Sequence, residues 1–120
     1  MKKILIVEDD ASQQLLYQEE IQELGYEVLL AGNGEEALKI ARENRPDLVI
    51  LDIKLPGMSG LDALREILME DPRIPVIIHT AYTHYRDDFK SWAAEEYIVK
   101  SADLTQLKNA IQRILKGKQM

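Results

Sequence analysis

The stretch Asp47-Leu48-Val49-Ile50-Leu51-Asp52-Ile53-Lys54-Leu55-Pro56-Gly57-Met58-Ser59-Gly60 decides the fold. Four consecutive apolar residues, Leu48–Leu51, read as a strand buried on both faces, and Pro56 and Gly57 punctuate the loop that follows. The strand stops on one carboxylate, Asp52. Such a group at the end of a buried strand is costly unless something pairs with it. Asp52 is therefore read as part of a site.

Working outward, apolar runs of the same kind recur at Ile4–Val7, Val28–Leu30, Val76–Ile78 and Tyr97–Val99. Helical periodicity fills the gaps. Ser12 to Leu24 places Leu16, Ile21 and Leu24 near one face. Gly34 to Asn44 gathers Ala37, Leu38 and Ala41 behind Asn33, a helix N-cap. Gly60 to Asp71 gathers Leu61, Leu64, Ile67 and Leu68. Leu104, Leu107, Ile111 and Ile114 repeat at helical spacing after Asp103, a capping residue. Strands alternating with helices predict an α/β fold, a single doubly wound five-stranded parallel sheet with helices on both faces. Five strands and five helices account for residues 1–120 as one domain.

Composition narrows the function. The 21 acidic residues outnumber the 15 basic ones, a net charge of −6, which argues against direct binding of nucleic acid. The absence of cysteine removes disulfides, thiol catalysis and Cys–metal sites. The apolar run at Ile4–Val7 is too short for a signal peptide or a membrane span, so no membrane role is expected and a cytoplasmic location is the default.

Ligands of an open parallel sheet bind beyond the carboxyl ends of its strands, where the strand order reverses. Glu8, Asp9 and Asp10 follow the first strand and Asp52 the third. His79, Thr80 and Ala81 follow the fourth, and Lys100 the fifth. A 2-1-3-4-5 order brings them to one edge. Clustered carboxylates repel one another unless a cation intervenes, and an all-oxygen acidic site suits a hard ion such as Mg²⁺. Lys100 adds a second cation and Thr80 a hydroxyl donor. Cations and donors around a lone carboxylate are what phosphoryl transfer to that carboxylate needs. Asp10 reads as a helix N-cap. His79 and His84 have no metal-ligand spacing, and Trp92 reads as a packing anchor. Glu19-Glu20 and Glu35-Glu36 read as solvated helix faces.

These residues resemble a known family, the receiver domains of bacterial response regulators. The resemblance covers essentially all 120 residues. It rests on Ile4-Leu5-Ile6-Val7-Glu8-Asp9-Asp10, on Leu48–Asp52 with Pro56, Gly57 and Gly60, on His79-Thr80-Ala81, and on Tyr97-Ile98-Val99-Lys100. It implies a flavodoxin-like (βα)5 fold of strand order 2-1-3-4-5. It implies that Asp52 is the phosphoacceptor, with Thr80 and Lys100 completing the catalytic group. Mg²⁺ is then held by Glu8, Asp9 as the direct ligand, Asp52 and the backbone carbonyl of Lys54. Thr80 and Tyr97 form the switch pair, and Tyr97 turns inward on activation. Lys54 and Tyr82 flank the path of the water that hydrolyses the acyl phosphate, and their bulk implies a long phosphoryl lifetime.

The same resemblance implies a phosphorylation-activated switch, not a conventional enzyme, that catalyses its own phosphorylation and dephosphorylation. Its phosphodonor is a sensor histidine kinase or phosphotransfer protein. The fourth helix, fifth strand and fifth helix form the output face. That face meets a downstream protein, a covalently linked output domain or a second copy in a homodimer. Two alternatives stand beside it: a receiver-like binding domain that no longer uses phosphorylation, and an aspartyl-phosphate phosphatase. The phosphatase class needs an acid two residues after its nucleophile, where this chain has Lys54.

The chain departs from the family in two places. Lys100 is followed by Ser101, where the family has proline after a cis bond. A cis bond before a residue other than proline costs about 2.5–4 kcal/mol, against about 0.5–1 before proline. Lys100 still has to reach Asp52, so the cis form is expected here. The stretch from Thr80 to Lys100 is also shorter than usual. The deficit falls in residues 83–91, which predicts a short or irregular fourth helix.

Overall fold

The computed structural model describes residues 1–83 and 93–117. The expected fourth helix, with His84 and Trp92, lies outside the described residues. The elements are β1 (Lys3–Val7), α1 (Ala11–Gln22), β2 (Glu27–Ala31), α2 (Gly34–Asn44), β3 (Leu48–Leu51), α3 (Gly60–Glu70), β4 (Val76–Thr80), β5 (Glu96–Val99) and α4 (Thr105–Gly117). The helix expected as the fifth is thus the fourth among the described residues.

All strand pairs are parallel and the order is β2-β1-β3-β4-β5, as expected. The order reverses between β1 and β3, and there the loops carrying Glu8 and Asp52 diverge from adjacent strands. Side chains alternate along each strand and divide the core in two. Leu5, Val7, Val49, Leu51, Val76 and Ile78 pack with α2 and α3. Ile4, Ile6, Leu48, Ile50, Ile77 and Ile98 pack with α1 and α4. β3 is buried at every position, as its unbroken apolar run requires.

Helix starts follow their caps. The Asp10 carboxylate accepts the Ser12 and Gln13 N–H groups. Asn33 accepts from Glu36 and Ser59 from Asp62. Glu36 is more than a solvated acid, since its carboxylate reaches back to accept the Gly32 N–H at 2.8 Å. Glu20 likewise pairs with Lys108 of α4 at 2.7 Å.

The inward face of α1 differs from the expectation. Leu16 is 45% exposed, and the buried positions are Tyr17 and Ile21. With Gln13 they form an i, i+4, i+8 row.

Gly60 opens α3 against the loop that follows Asp52. Its N–H donates to the Ile53 carbonyl at 2.7 Å. A Cβ at Gly60 would collide with the Asp52 carbonyl oxygen and stand 2.6 Å from Ile53 Cα. Gly57, at φ +75°, makes the turn between Asp52 and α3 in the left-handed region that glycine tolerates.

Candidate phosphoacceptor site

Asp52 leaves β3 almost fully buried. Its Oδ2 accepts from Lys100 Nζ at 2.7 Å, and its Oδ1 from the Lys54 N–H at 3.2 Å. A carboxylate has about four lone-pair positions. These two donors leave room on Oδ1 for a further electrophile.

Lys100 follows β5, two strands from β3, and bridges both carboxylates of the site. Its ammonium lies 2.6 Å from Glu8 Oε1 as well as 2.7 Å from Asp52. A third bond runs to Gln13 Oε1 at 2.9 Å. Burial alone would lower its pKa, but the hydrogen bonds it donates to Asp52 and Glu8 outweigh burial and raise it to about 12. Lys100 is a fixed positive charge.

The expected cis bond is not present. No peptide bond among the described residues is cis, so Lys100–Ser101 is trans. A secondary amide prefers trans by about 2.5–4 kcal/mol. The lysine's four-carbon stem reaches both carboxylates from that backbone without any change of isomer.

Glu8 is buried and turned towards Lys100, and it also accepts the Asp10 N–H at 3.1 Å. Burial raises its pKa, against the lowering effect of Lys100. Asp9 is exposed. Asp9, Asp52, Lys54, Leu55, Pro56, Ala81 and Tyr82 line an open cavity of about 440 Å³. Glu8 and Thr80 do not line it. Among the described residues no three His, Asp or Glu side chains converge as a metal cage. Two carboxylates on one cavity still fit Mg²⁺. That ion keeps several waters and is commonly held by one or two carboxylates.

Thr80 ends β4 fully buried, and its Oγ1 accepts the Tyr82 N–H at 3.4 Å. Tyr97 is already inward, 4% exposed, and its hydroxyl donates to the Tyr82 carbonyl. The Tyr82 backbone thus joins the two expected switch residues, its N–H to Thr80 and its carbonyl to Tyr97. The Lys54 ammonium lies over the Tyr82 ring, 5.7 Å from its centre.

Gln13 and Tyr17 escaped the reading of functional residues, and His79 was read only as lacking metal-ligand spacing. The Tyr17 hydroxyl donates to Gln13 Oε1 at 3.2 Å. Its ring meets the His79 ring edge-on, with centres 5.2 Å apart. Burial, then the charge of Lys100, lowers the His79 pKa to about 4, so the ring is neutral. The signal for Gln13 was its spacing of four from Tyr17, hidden by the more hydrophobic Leu16.

Comparison with known proteins agrees with this geometry. The profile of the response regulator receiver domain matches residues 4–112. Sporulation initiation phosphotransferase F of Bacillus subtilis is 37% identical, over 95% of this chain and 94% of that protein. The response regulator TrrA of Thermotoga maritima, solved in complex with Mg²⁺ and BeF, superposes with a TM-score of 0.90. It is 48% identical and covers 95% of this chain and 99% of that one. TrrA solved with the histidine kinase ThkA superposes at 0.88 and is 49% identical, covering 96% and 99%. The chain belongs to the response regulator receiver domain family, the phosphoacceptor switches of two-component signalling.

Proposed function

We propose that Asp52 is the phosphoacceptor and that the chain catalyses its own phosphorylation from a phosphohistidine or a small phosphodonor. The observation that carries this reading is the Lys100 ammonium fixed 2.7 Å from the carboxylate of Asp52. Asp52 Oδ1 attacks phosphorus, the bond to the donor's nitrogen or oxygen breaks, and an acyl phosphate forms. Lys100 draws electron density from the transferring oxygens. Asp9, Asp52 and the Lys54 carbonyl would hold Mg²⁺, which supplies charge neutralisation when bound. Glu8 keeps Lys100 in place.

The phosphoryl group adds charge and strong acceptor oxygens at the head of β3. Thr80 Oγ1 leaves the Tyr82 N–H to donate to one of them. Tyr97 is tied to the carbonyl of the same residue, so the loop after β4 moves with it. That loop leads into the output face, where a downstream protein, a linked output domain or a second copy binds. Lys54 and Tyr82 wall the approach of the hydrolytic water. Among the described residues no helix is long and apolar enough to cross a membrane, which accords with action in the cytoplasm.

The test is labelling by a small acyl phosphate with and without Mg²⁺. The wild-type chain should be labelled only with the ion, and Asp52→Asn not at all. Undiminished labelling of Asp52→Asn would sink the assignment.

A further inference from the structure

Lys100 donates to three acceptors, and the acceptor chemistry accounts for only two. Glu8 and Asp52 are charged partners. The third, Gln13 Oε1, is a neutral amide oxygen from the first turn of α1. An ammonium has three N–H donors and no other polar capacity, so the third bond fixes its last rotational freedom.

Gln13 is itself braced. Its Oε1 also accepts from the Tyr17 hydroxyl at 3.2 Å. Tyr17 is buried, and its ring is held edge-on by the buried His79. His79 is in register with Ile98, two residues before Lys100. The row therefore returns to the strand that carries the lysine. The Lys100 N–H donates to the Thr80 carbonyl at 2.7 Å and fixes the backbone at the strand end, while the ammonium at the far end of the stem is held by its side-chain partners. Phosphoryl transfer alters Asp52, and a bound cation competes for acidic oxygens. An amide oxygen neither titrates nor accepts the phosphoryl group. Its capacity to accept from Lys100 is therefore the same in both states of the acceptor.

We infer that Gln13, braced by Tyr17, is the positioning residue that keeps the Lys100 ammonium aimed at the acceptor before and after phosphoryl transfer. The inference rests on the reading of Asp52 as phosphoacceptor. Gln13 touches neither donor nor phosphoryl group and acts through Lys100.

The test uses the full chain, Mg²⁺ and acetyl phosphate, with Gln13→Met, Gln13→Glu and Tyr17→Phe. Methionine keeps the length but removes the oxygen acceptor, and glutamate restores it. Losing one hydrogen bond to a charged group should slow saturated labelling by Gln13→Met about tenfold. The donor concentration for half-maximal rate should not change. Gln13→Glu should recover most of the rate. Tyr17→Phe should give a smaller loss that disappears in the Gln13→Met background.

An independent readout is the Lys100 ammonium signal in lysine-selective ¹⁵N NMR, assigned by its absence in Lys100→Met. It should be sharp in wild type and Gln13→Glu, and broadened by faster proton exchange in Gln13→Met. A wild-type rate with an intact ammonium signal in Gln13→Met overturns the inference. So does an ammonium signal as broad in Gln13→Glu as in Gln13→Met. If Gln13→Met does not fold, Tyr17→Phe decides, and a wild-type rate and signal there overturn it. A wild-type chain that takes no label sinks the Asp52 reading instead, while the ammonium signal still decides Gln13.

Discussion

Lys100 reaches Asp52 at 2.7 Å across a trans peptide. The lysine's own stem and its three acceptors place its charge, and the residue after it is an exposed serine. Glu8 and Asp52 come from neighbouring strands that diverge at the switch point of the sheet. Without the ammonium between them, two buried carboxylates would face each other. The same contact therefore has a structural and a chemical consequence.

Lys100→Met tests the structural one. Removing one member of a buried ion pair leaves uncompensated charge and should destabilise the fold by about 3 kcal/mol near neutral pH. Glu8, whose pKa burial already raises, loses the lowering effect of Lys100, so its folded-state pKa rises further. The deficit is therefore greatest above the carboxylate range and shrinks as pH falls and Glu8 protonates. Urea midpoints of variant and wild type at pH 7.5 and 4.5 measure it. A deficit that does not shrink at the lower pH would contradict the account.

Lys54 and Tyr82 line the cavity beside Asp52, with the ammonium over the ring. Together they form one wall of the approach to Asp52. Lys54→Ala with Tyr82→Ala should shorten the phosphoryl lifetime several-fold while leaving the labelled residue unchanged. Decay of labelled protein after removal of donor measures it. An unchanged or longer lifetime would dispose of the steric wall.

The strands and most helices were legible because their apolar periods are unambiguous. Leu48–Leu51 is apolar throughout and buried throughout, and Asn33 and Asp10 cap where their side chains allow. That Asp52, Glu8 and Lys100 come together was legible from their places at strand ends. What was not legible is which acid faces which cation. Glu8 and Asp9 are adjacent in sequence, yet the first turns to Lys100 and the second to the open cavity. Backbone direction after β1 decides that, and no pattern of residue types encodes it. The inward face of α1 was misread because hydropathy ranks Leu16 above Tyr17. A tyrosine whose hydroxyl has a partner buries well, and Gln13 supplies that partner.

Two backbone positions should respond in opposite directions. A Cβ at Gly60 meets the carbonyl of Asp52 and the backbone of Ile53, atoms that cannot rotate away. Gly60→Ala should cost about 3 kcal/mol, as overpacking does, and should slow labelling because Asp52 itself is displaced. Ala93, just before β5, has φ +64°. A left-handed conformation costs a residue with Cβ about 1 kcal/mol or more, so Ala93→Gly should stabilise by about 1 kcal/mol. Thermal or urea unfolding of the two variants checks both signs. A neutral Gly60→Ala would show that the loop after Asp52 can shift freely.

His79 should make the fold sensitive to mild acid. Its ring is buried against Tyr17, and burial with the charge of Lys100 lowers its pKa from 6.5 to about 4. The unfolded chain therefore binds a proton below about pH 6.5 that the folded chain refuses until about pH 4. Stability attributable to His79 is complete above the unfolded value. It is lost as pH falls through this window. Between pH 7.5 and 4.5 the loss should reach about 2.5 kcal/mol. Glu8, with its raised pKa, works in the opposite sense over part of the same range. The measurement must therefore be a difference. His79→Phe keeps an aromatic edge for Tyr17 and removes the titration. Its stability relative to wild type should rise by that amount on going from pH 7.5 to 4.5. Parallel pH profiles for the two proteins would show that His79 protonates in the folded state as readily as in the unfolded one.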